Sequence, residues 1–175
     1  MASKLNLKNG QRAQRKPLIT VAEWGEAEKK SREILGTRTE DSSIEFNADI
    51  ATSTDILGIT YTDVNKTEPQ QSFDPFYILG GSELSEYLTT AALKNDINAY
   101  NGAFDVYIIT AFIGSTESGY YAVKHSGCSI IPTGIGGDAF TNMPIEVHYS
   151  NNITEGTVDD FTKKDFVFTP AGASG

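Results

Sequence analysis

The segment FDVYIITAFIGSTESGYYAVKHSGCSII, residues 104–131, carries the main indication of how this protein folds. Residues 104–113 and 120–131 are rich in β-branched and aromatic side chains, which favour strands. The small and polar residues GSTESG between them, 114–119, are typical of a tight connection. The stretch therefore predicts a long β-hairpin, and a fold built around it is mainly β.

Residues 104–113 carry apolar side chains on both faces of the predicted strand. A strand with one wet face alternates instead, as residues 143–149 do with Met143, Ile145, Val147 and Tyr149. We therefore expect one face of 104–113 to lie in the core and the other face, or an edge of the strand, to lie against a neighbour.

The flanking segments predict further strands. LITVAEW, residues 18–24, and DFVFT, residues 165–169, have the composition of strands, the second being the last of the chain. Residues 26–32 contain only Ala27 as an apolar residue, so a helix there would have no face to bury. For this segment we predict a hairpin-like return, with a strand near residues 32–38.

One helix is predicted at about residues 82–95. Gly80 and Gly81 precede it, and Ser82 has the side chain of an N-cap. Apolar residues then follow the helical i, i+3, i+4 spacing: Leu84, Tyr87, Leu88, Ala91 and Ala92. The expected fold class is a mainly β, sandwich-like or barrel-like domain with this one flanking helix, a long loop over residues 39–78 and extended arms.

Length and charge divide the 175 residues into three parts. Residues 17–170 are long enough for one β domain, and we expect residues 171–175 to form a small, flexible C-terminal tail. We also expect residues 1–16 to form a flexible N-terminal arm; they contain no acidic residue, whereas the whole chain has a formal charge of −9. The arm is either a solvated tail or a docking segment, and its basic residues are Lys4, Lys8, Arg12, Arg15 and Lys16.

Composition excludes several classes of protein. An acidic body argues against general nucleic-acid binding, which depends on Lys and Arg at phosphates. No apolar stretch approaches the ~20 residues of a membrane span, and the polar start lacks the apolar segment of a signal peptide. Cys128 is the single cysteine, so no intramolecular disulfide can form and a reducing compartment is favoured.

Residues with catalytic or metal-binding chemistry are few. His125 and His148 lie in predicted strands without ligands at the spacing that zinc requires. Cys128 is three residues from His125, and such positions point to opposite faces of a strand. The glycine-rich TGIGGDA, residues 133–139, lacks the spacing and the lysine of a phosphate-binding loop. We expect no catalytic residues, no cofactor and no metal, and hence no enzyme.

Four longer phrases resemble one known family. They are GTRTEDSSIEFN (36–47), STDILGITYTDVNKTEPQQSFDPFYI (53–78), GGSELSEYL (80–88) and GDAFTNMPIEVHYSNNITEGTVD (137–159). In this order they resemble the major tail proteins, or tail tube proteins, of long-tailed phages and prophages of Gram-positive bacteria.

The resemblance implies a structural protein. Subunits of this family form hexameric rings that stack into a hollow tube, through which DNA passes from capsid to host without specific binding. Implied partners are further copies of the chain and other tail proteins, namely the tape measure, terminator and baseplate proteins, with no membrane. The implied location is the virion tail, after synthesis in the cytoplasm of the host bacterium.

Two sets of residues are candidates for this role. An acidic lumen would repel DNA, although acidic residues also serve solubility, and the candidates for the lumen are Asp105, Glu117 and Glu146. Large apolar side chains in the long loop are expected to meet an adjacent subunit or ring, together with the basic arm residues: Phe46, Ile56, Phe73, Phe76 and Tyr77.

Two alternatives stay open on the sequence. One is another ring-forming tail component, such as a terminator or connector. The other is a β-sandwich module that binds carbohydrate through a platform of Trp24, Tyr120 and Tyr121, although these aromatics would equally serve as packing residues.

Overall fold

The computed structural model describes residues 5–172. Its secondary structure consists of eleven strands, one α-helix and one short 3-10 turn at Ile97–Ala99. The elements are β1 Leu18–Glu26, β2 Lys29–Ile34, β3 Ile44–Glu45, β4 Ala48–Thr54, β5 Thr60–Thr67, β6 Gln70–Phe73, α1 Glu83–Leu93, β7 Phe104–Ser115, β8 Gly119–Pro132, β9 Ile145–His148, β10 Ile153–Val158 and β11 Phe168–Pro170. The expected class, mainly β with one helix, is confirmed.

The predicted central hairpin is β7–β8, and its strands extend into the expected loop so that only residues 116–118 turn. Gly114 and Gly119 close it with φ angles of 97° and 78°. A Cβ atom on Gly114 would lie 2.1 Å from the carbonyl oxygen of Gly119. Only glycine allows the two strands to come together in this way.

The antiparallel sheet has two parts, one containing β2, β1, β7, β10 and β11 and the other containing β9, β6 and β3. Strand β8 belongs to both parts. Its first half lies between β7 and β10, and residues Ser129 to Pro132 pair with β9. The path of paired strands runs β2-β1-β7-β8-β9-β6-β3, with β10 and β11 branching from β8. Because one long strand belongs to both parts, the sheet can fold over itself into a sandwich-like body.

The first core lies between the two parts of the sheet and the helix. Leu84 and Leu88 of α1 are fully buried against strand residues such as Phe104 and Ile130. The N-terminus of α1 agrees with the prediction, since the Ser82 hydroxyl accepts a hydrogen bond from the Ser85 amide.

A second core lies on the opposite face of β1, β7 and β8. Tyr107 and Ile109 pack there against Phe166, which is 3% exposed. The face of 104–113 that we expected to meet a neighbour is thus covered by the chain's own C-terminal segment. That expectation is wrong at these two residues, because residues 159–170 fold back over the sheet.

Two strand predictions need corrected bounds. The return after β1 is the predicted hairpin, but its second strand is Lys29–Ile34 and begins earlier than residue 32. The last strand is Phe168–Pro170, where DFVFT (165–169) was expected. Phe166 lies before this strand, and its ring contacts that of Tyr107, with centroids 5.1 Å apart.

Candidate functional site

The long loop predicted at 39–78 contains a projecting hairpin made of β4 and β5. Every residue of both strands is exposed, and within residues 5–172 the two strands pair only with each other. About eight residues separate the base from the tip, which corresponds to a projection of roughly 25 Å at ~3.3 Å per residue. A lone two-stranded hairpin is at best marginally stable in water, so this element gains stability if a partner covers it.

The tip of this hairpin is ordered by Asp55. Its carboxylate accepts hydrogen bonds from the amides of Leu57 and Ile59, at 2.9 and 3.0 Å, and from the Tyr61 hydroxyl. These bonds, led by that of Ile59, lower the pKa of Asp55. The carboxylate thereby holds Ile56 in solvent, where it is 101% exposed, and Leu57 at 78%.

The predicted contact residues separate into two groups. Phe46 and Ile56 lie at the base and tip of the projecting hairpin and are exposed, and Tyr77 is half-buried. Phe73 and Phe76 instead belong to the first core, with 2% and 7% exposure. For these two the prediction of an intersubunit contact is corrected, because their surface is already used inside the subunit.

The described part of the basic arm runs over the end of β7. The Asn6 amide donates to Phe112 O at 3.0 Å, and its side chain donates to Ala111 O and Gly114 O. At the other end, Arg15 donates to the carbonyls of Leu18 and Ser42. Lys8, Arg12, Arg15 and Lys16 are all exposed, and Lys4 lies outside the described residues.

An ion-pair network crosses β2, β1, β7 and β8. Glu23 is buried and binds Lys30 at 2.7 Å and Arg32. Burial raises the pKa of Glu23, but hydrogen bonds from Lys30 and Arg32 outweigh it and lower the pKa overall. Arg32 also donates to Phe166 O at 2.7 Å, which ties the network to the second core.

The candidate lumen acids have unlike surroundings. Asp105 joins the network, with Lys124 at 2.8 Å and Lys30 at 3.3 Å, so two cations compensate its charge. Glu117 is exposed in the β7–β8 turn. Glu146 is partly exposed on β9 and lies 3.3 Å from His148 Nε2. The three do not form one cluster.

The side chains with catalytic potential have structural partners. His125 Nδ1 lies 2.7 Å from Ser150 O, and the Cys128 thiol donates to His125 O. Burial raises the pKa of Cys128, which disfavours its thiolate. Within residues 5–172, no group of three or more His, Cys, Asp or Glu side chains is placed to hold a metal ion. In the same range, no helix has the length and apolar character needed to cross a membrane.

The aromatic residues of the carbohydrate alternative do not share a surface. Trp24 is 7% exposed in the first core, beside Tyr87 and Phe104. Tyr120 packs on Phe161 at the second core, with centroids 4.8 Å apart. The predicted platform of Trp24, Tyr120 and Tyr121 is therefore wrong, because Trp24 and Tyr120 pack in different cores.

Three parts of the arrangement were missed by the sequence analysis. The projecting hairpin was seen only as a loop with short strands, although Asp55 before Gly58 is a turn signal. No sequence pattern indicated the second core, which Phe166 covers. The salt-bridged Glu23 was also missed, because its partners lie on other strands.

Comparisons with known proteins concern the fold. No protein family and no curated protein sequence matches the chain. In an extracellular contractile injection system, the PVC sheath-tube complex in its extended state, one chain is 14% identical with a TM-score of 0.43, over 79% of this chain and 88% of that one. A chain in the 6-fold symmetrised anti-feeding prophage (AFP) baseplate is 9% identical with a TM-score of 0.50, over 85% of this chain and 97% of that one. This protein therefore shares the fold of a chain of the anti-feeding prophage baseplate, over almost the whole of that chain.

Proposed function

We propose that this protein is a structural subunit of a phage tail or tail-like particle, in which copies form six-membered rings that stack into a hollow tube. The observation that carries the proposal is the projecting hairpin, whose strands are exposed along their whole length. An element of this kind gains stability when a neighbour covers it.

The exposed apolar side chains of this hairpin also support the proposal. They extend from base to tip and are 50% exposed or more: Phe46, Ile50, Ile56, Leu57, Ile59, Tyr61 and Val64. Each contributes ~1.5–3 kcal/mol when fully buried. Contact with a neighbouring subunit would remove this surface from water.

The shared fold and the resemblance of residues 36–159 support a tail role together. The structural neighbour belongs to a 6-fold symmetrised prophage baseplate. In our proposal the finer identity is a tail tube subunit of a phage or prophage of Gram-positive bacteria, with other tail proteins as partners and the assembled particle as its location. It has no catalytic role and takes no cofactor.

A hollow tube must let DNA pass without holding it. The formal charge of −9 suits a wall that repels phosphate. Glu117 and Glu146 are our candidates for this wall, and Asp105 contributes less because Lys30 and Lys124 compensate it.

A second candidate function is a baseplate or other closed-ring component of the same kind of particle. The likeness to the prophage baseplate chain favours it. Negative-stain electron microscopy of the purified protein separates the two, since a tube subunit yields long hollow tubes and a ring component yields single closed rings. A protein that stays monomeric at every concentration contradicts both.

A further inference from the structure

The projecting hairpin with its flanks, residues 45–68, is strongly acidic. It contains five acidic residues and one lysine, a net charge of −4. The lysine, Lys66, is already paired with Glu68 at 2.6 Å. Asp49 lies opposite Lys66 near the base, Asp63 lies opposite Ala51 in the middle of the hairpin and Asp55 lies at the tip, and all three are solvent-accessible.

The described arm, residues 5–16, has the opposite charge. It contains four basic residues and no acidic one, a net charge of +4. Contacts of Asn6 at one end and Arg15 at the other hold it on the body. Within residues 5–172, no salt bridge joins this arm to the hairpin of the same chain.

The arm ends at the mouth of a cavity of about 340 Å³. Arg15 and Lys16 line it together with aliphatic side chains of β1 and β2, including Leu18, Ile19 and Ile34, and Glu40 is the acidic residue of the lining. The cavity thus has basic side chains next to aliphatic ones. The tip of the hairpin is complementary to it in charge and polarity, because Asp55 lies next to Ile56 and Leu57.

We infer that the acidic hairpin of one copy docks on the basic arm of a second copy, with its aliphatic tip in the cavity beside Arg15 and Lys16. The inference rests on the proposed assembly and names the surface that receives the hairpin. A second copy is the indicated occupant because the chain itself carries both halves of a contact with equal and opposite charge.

Charge exchange tests this pairing. The arm variant combines Lys8→Glu, Arg12→Glu and Lys16→Glu, and leaves Arg15 in place because it binds the body. The hairpin variant combines Glu45→Lys, Asp49→Lys and Asp63→Lys, and leaves Asp55 because it orders the tip. All six positions are exposed, so circular dichroism should show unchanged folding.

Each variant alone should slow polymer growth about tenfold at low salt, because like charges then face each other. Light scattering measures the growth rate. A chain carrying both sets should grow at nearly the wild-type rate. Raising the salt should reduce the differences, since the screening length falls from ~10 Å at 0.1 M to ~3 Å at 1 M.

A matched control reverses three exposed lysines away from both surfaces, Lys29, Lys94 and Lys164, to Glu. It should grow as the wild type does. If the combined variant is as defective as its parents, or if the parents grow normally, the pairing is wrong while tube assembly stands. A wild type that forms neither rings nor tubes overturns the proposed function and this inference with it.

A second measurement needs no variant. Assembled particles made from equal amounts of ¹⁴N-labelled and ¹⁵N-labelled chains are treated with a carbodiimide, which joins amines to carboxylates in contact. Mixed-isotope links between Lys8 or Lys16 and carboxylates of residues 45–68 support the pairing. Mixed-isotope links from these lysines only to other acidic residues contradict it.

Discussion

Glu23 shows how a single buried charge is made tolerable. An unpaired carboxylate in a sheet would be strongly destabilising, but Glu23 has a cation on each oxygen. The Tyr107 hydroxyl lies 3.4 Å from both oxygens, and the Arg32 guanidinium lies 5.3 Å from the centre of the same ring. The network therefore connects β1, β2 and β7 through polar contacts where the second core ends.

Replacing Glu23 with Gln should lower stability by about 1.5–3 kcal/mol, since it removes charge-assisted hydrogen bonds. For a chain of this length the melting temperature should fall by roughly 3–12 °C, measured by circular dichroism. Glu68→Gln is the matched control, because the pair Lys66–Glu68 is exposed and solvent screens its charges, so the melting temperature should hardly change.

The effect of Glu23 should depend on pH in one direction. The folded pKa of Glu23 lies below its ordinary value of 4.5, so the carboxylate stabilises the fold above that value. This contribution is lost as pH falls through the lowered folded pKa. The difference in melting temperature between wild type and E23Q should be full at pH 7 and shrink in acid. An equal difference at both pH values would contradict this account.

At the level of elements, α1 and the projecting hairpin have opposite relations to the body. The helix is tied to β2 by Glu33, which accepts hydrogen bonds from the Ser82 hydroxyl at 2.6 Å and the Leu84 amide at 3.1 Å. An acid at a helix N-terminus is also favoured by the helix dipole. Within residues 5–172 the hairpin strands pair only with each other, and at the base the Glu68 amide donates to Phe46 O of the opposite flank.

Ser82→Ala should destabilise the protein by about 0.5–2 kcal/mol, because the Ser85 amide loses its cap. Urea unfolding followed by fluorescence measures this as a lower midpoint with an unchanged slope. Ser53→Ala, in an exposed strand of the hairpin, is the control and should leave the midpoint unchanged. Equal midpoints for S82A and wild type would show that the cap contributes nothing.

The amides of the projecting hairpin should exchange hydrogen quickly in the free subunit. Its strands cover no core, so opening them exposes no buried apolar surface. In the assembled particle, exchange of residues 48–67 should slow by at least about tenfold, as measured by mass spectrometry, while β7 and β8 are slow in both states. Equal exchange of the hairpin in both states would mean that no neighbour covers it.

For the whole molecule, the C-terminal segment completes the fold. Residues 159–170 cover one face of the sheet through Phe166, while β11 adds an edge strand to β10. The sheet therefore has a core on each face: one under α1 and one under this segment. A chain that ended at β10 would expose Tyr107 and Ile109.

Phe166→Ala should cost about 3–5 kcal/mol, because it leaves a cavity in the second core. The melting temperature should then fall by roughly 10 °C, as measured by calorimetry. Val167→Ala is a neighbouring control, since Val167 is 62% exposed and should have almost no effect. If the two variants have the same melting temperature, the C-terminal segment does not stabilise the second core.

Tubes of the wild type should not retain DNA, whereas tubes of Glu117→Lys combined with Glu146→Lys should. Lysines at these positions would contact phosphates and release counterions, so the retention should weaken steeply with salt. Co-sedimentation of short duplexes with tubes measures it, and Lys29→Glu tubes serve as a control with a changed charge elsewhere. Wild-type behaviour in the double variant would mean that these acids do not face the lumen.

The amino-acid sequence was sufficient to predict the mainly β class, the β7–β8 hairpin and the helix begun by Ser82. These features depend on local patterns: β-branched runs, paired glycines and the helical spacing of apolar residues. It also separated the basic arm from the acidic body, because charge can be counted without coordinates.

Which apolar residues remain exposed for a partner depends on how the strands pack in three dimensions. Phe73 and Phe46 have the same side chain in the same predicted loop, yet one is 2% and the other 64% exposed. Burial depends on strands far away in the chain, since Phe73 lies opposite Ile145 in the sheet. Likewise, Tyr107 and Ile109 are not available for contact with another subunit, because Phe166, near the end of the same chain, packs on them. Long-range contacts of this kind leave no local pattern, and they determine which surface is left for assembly.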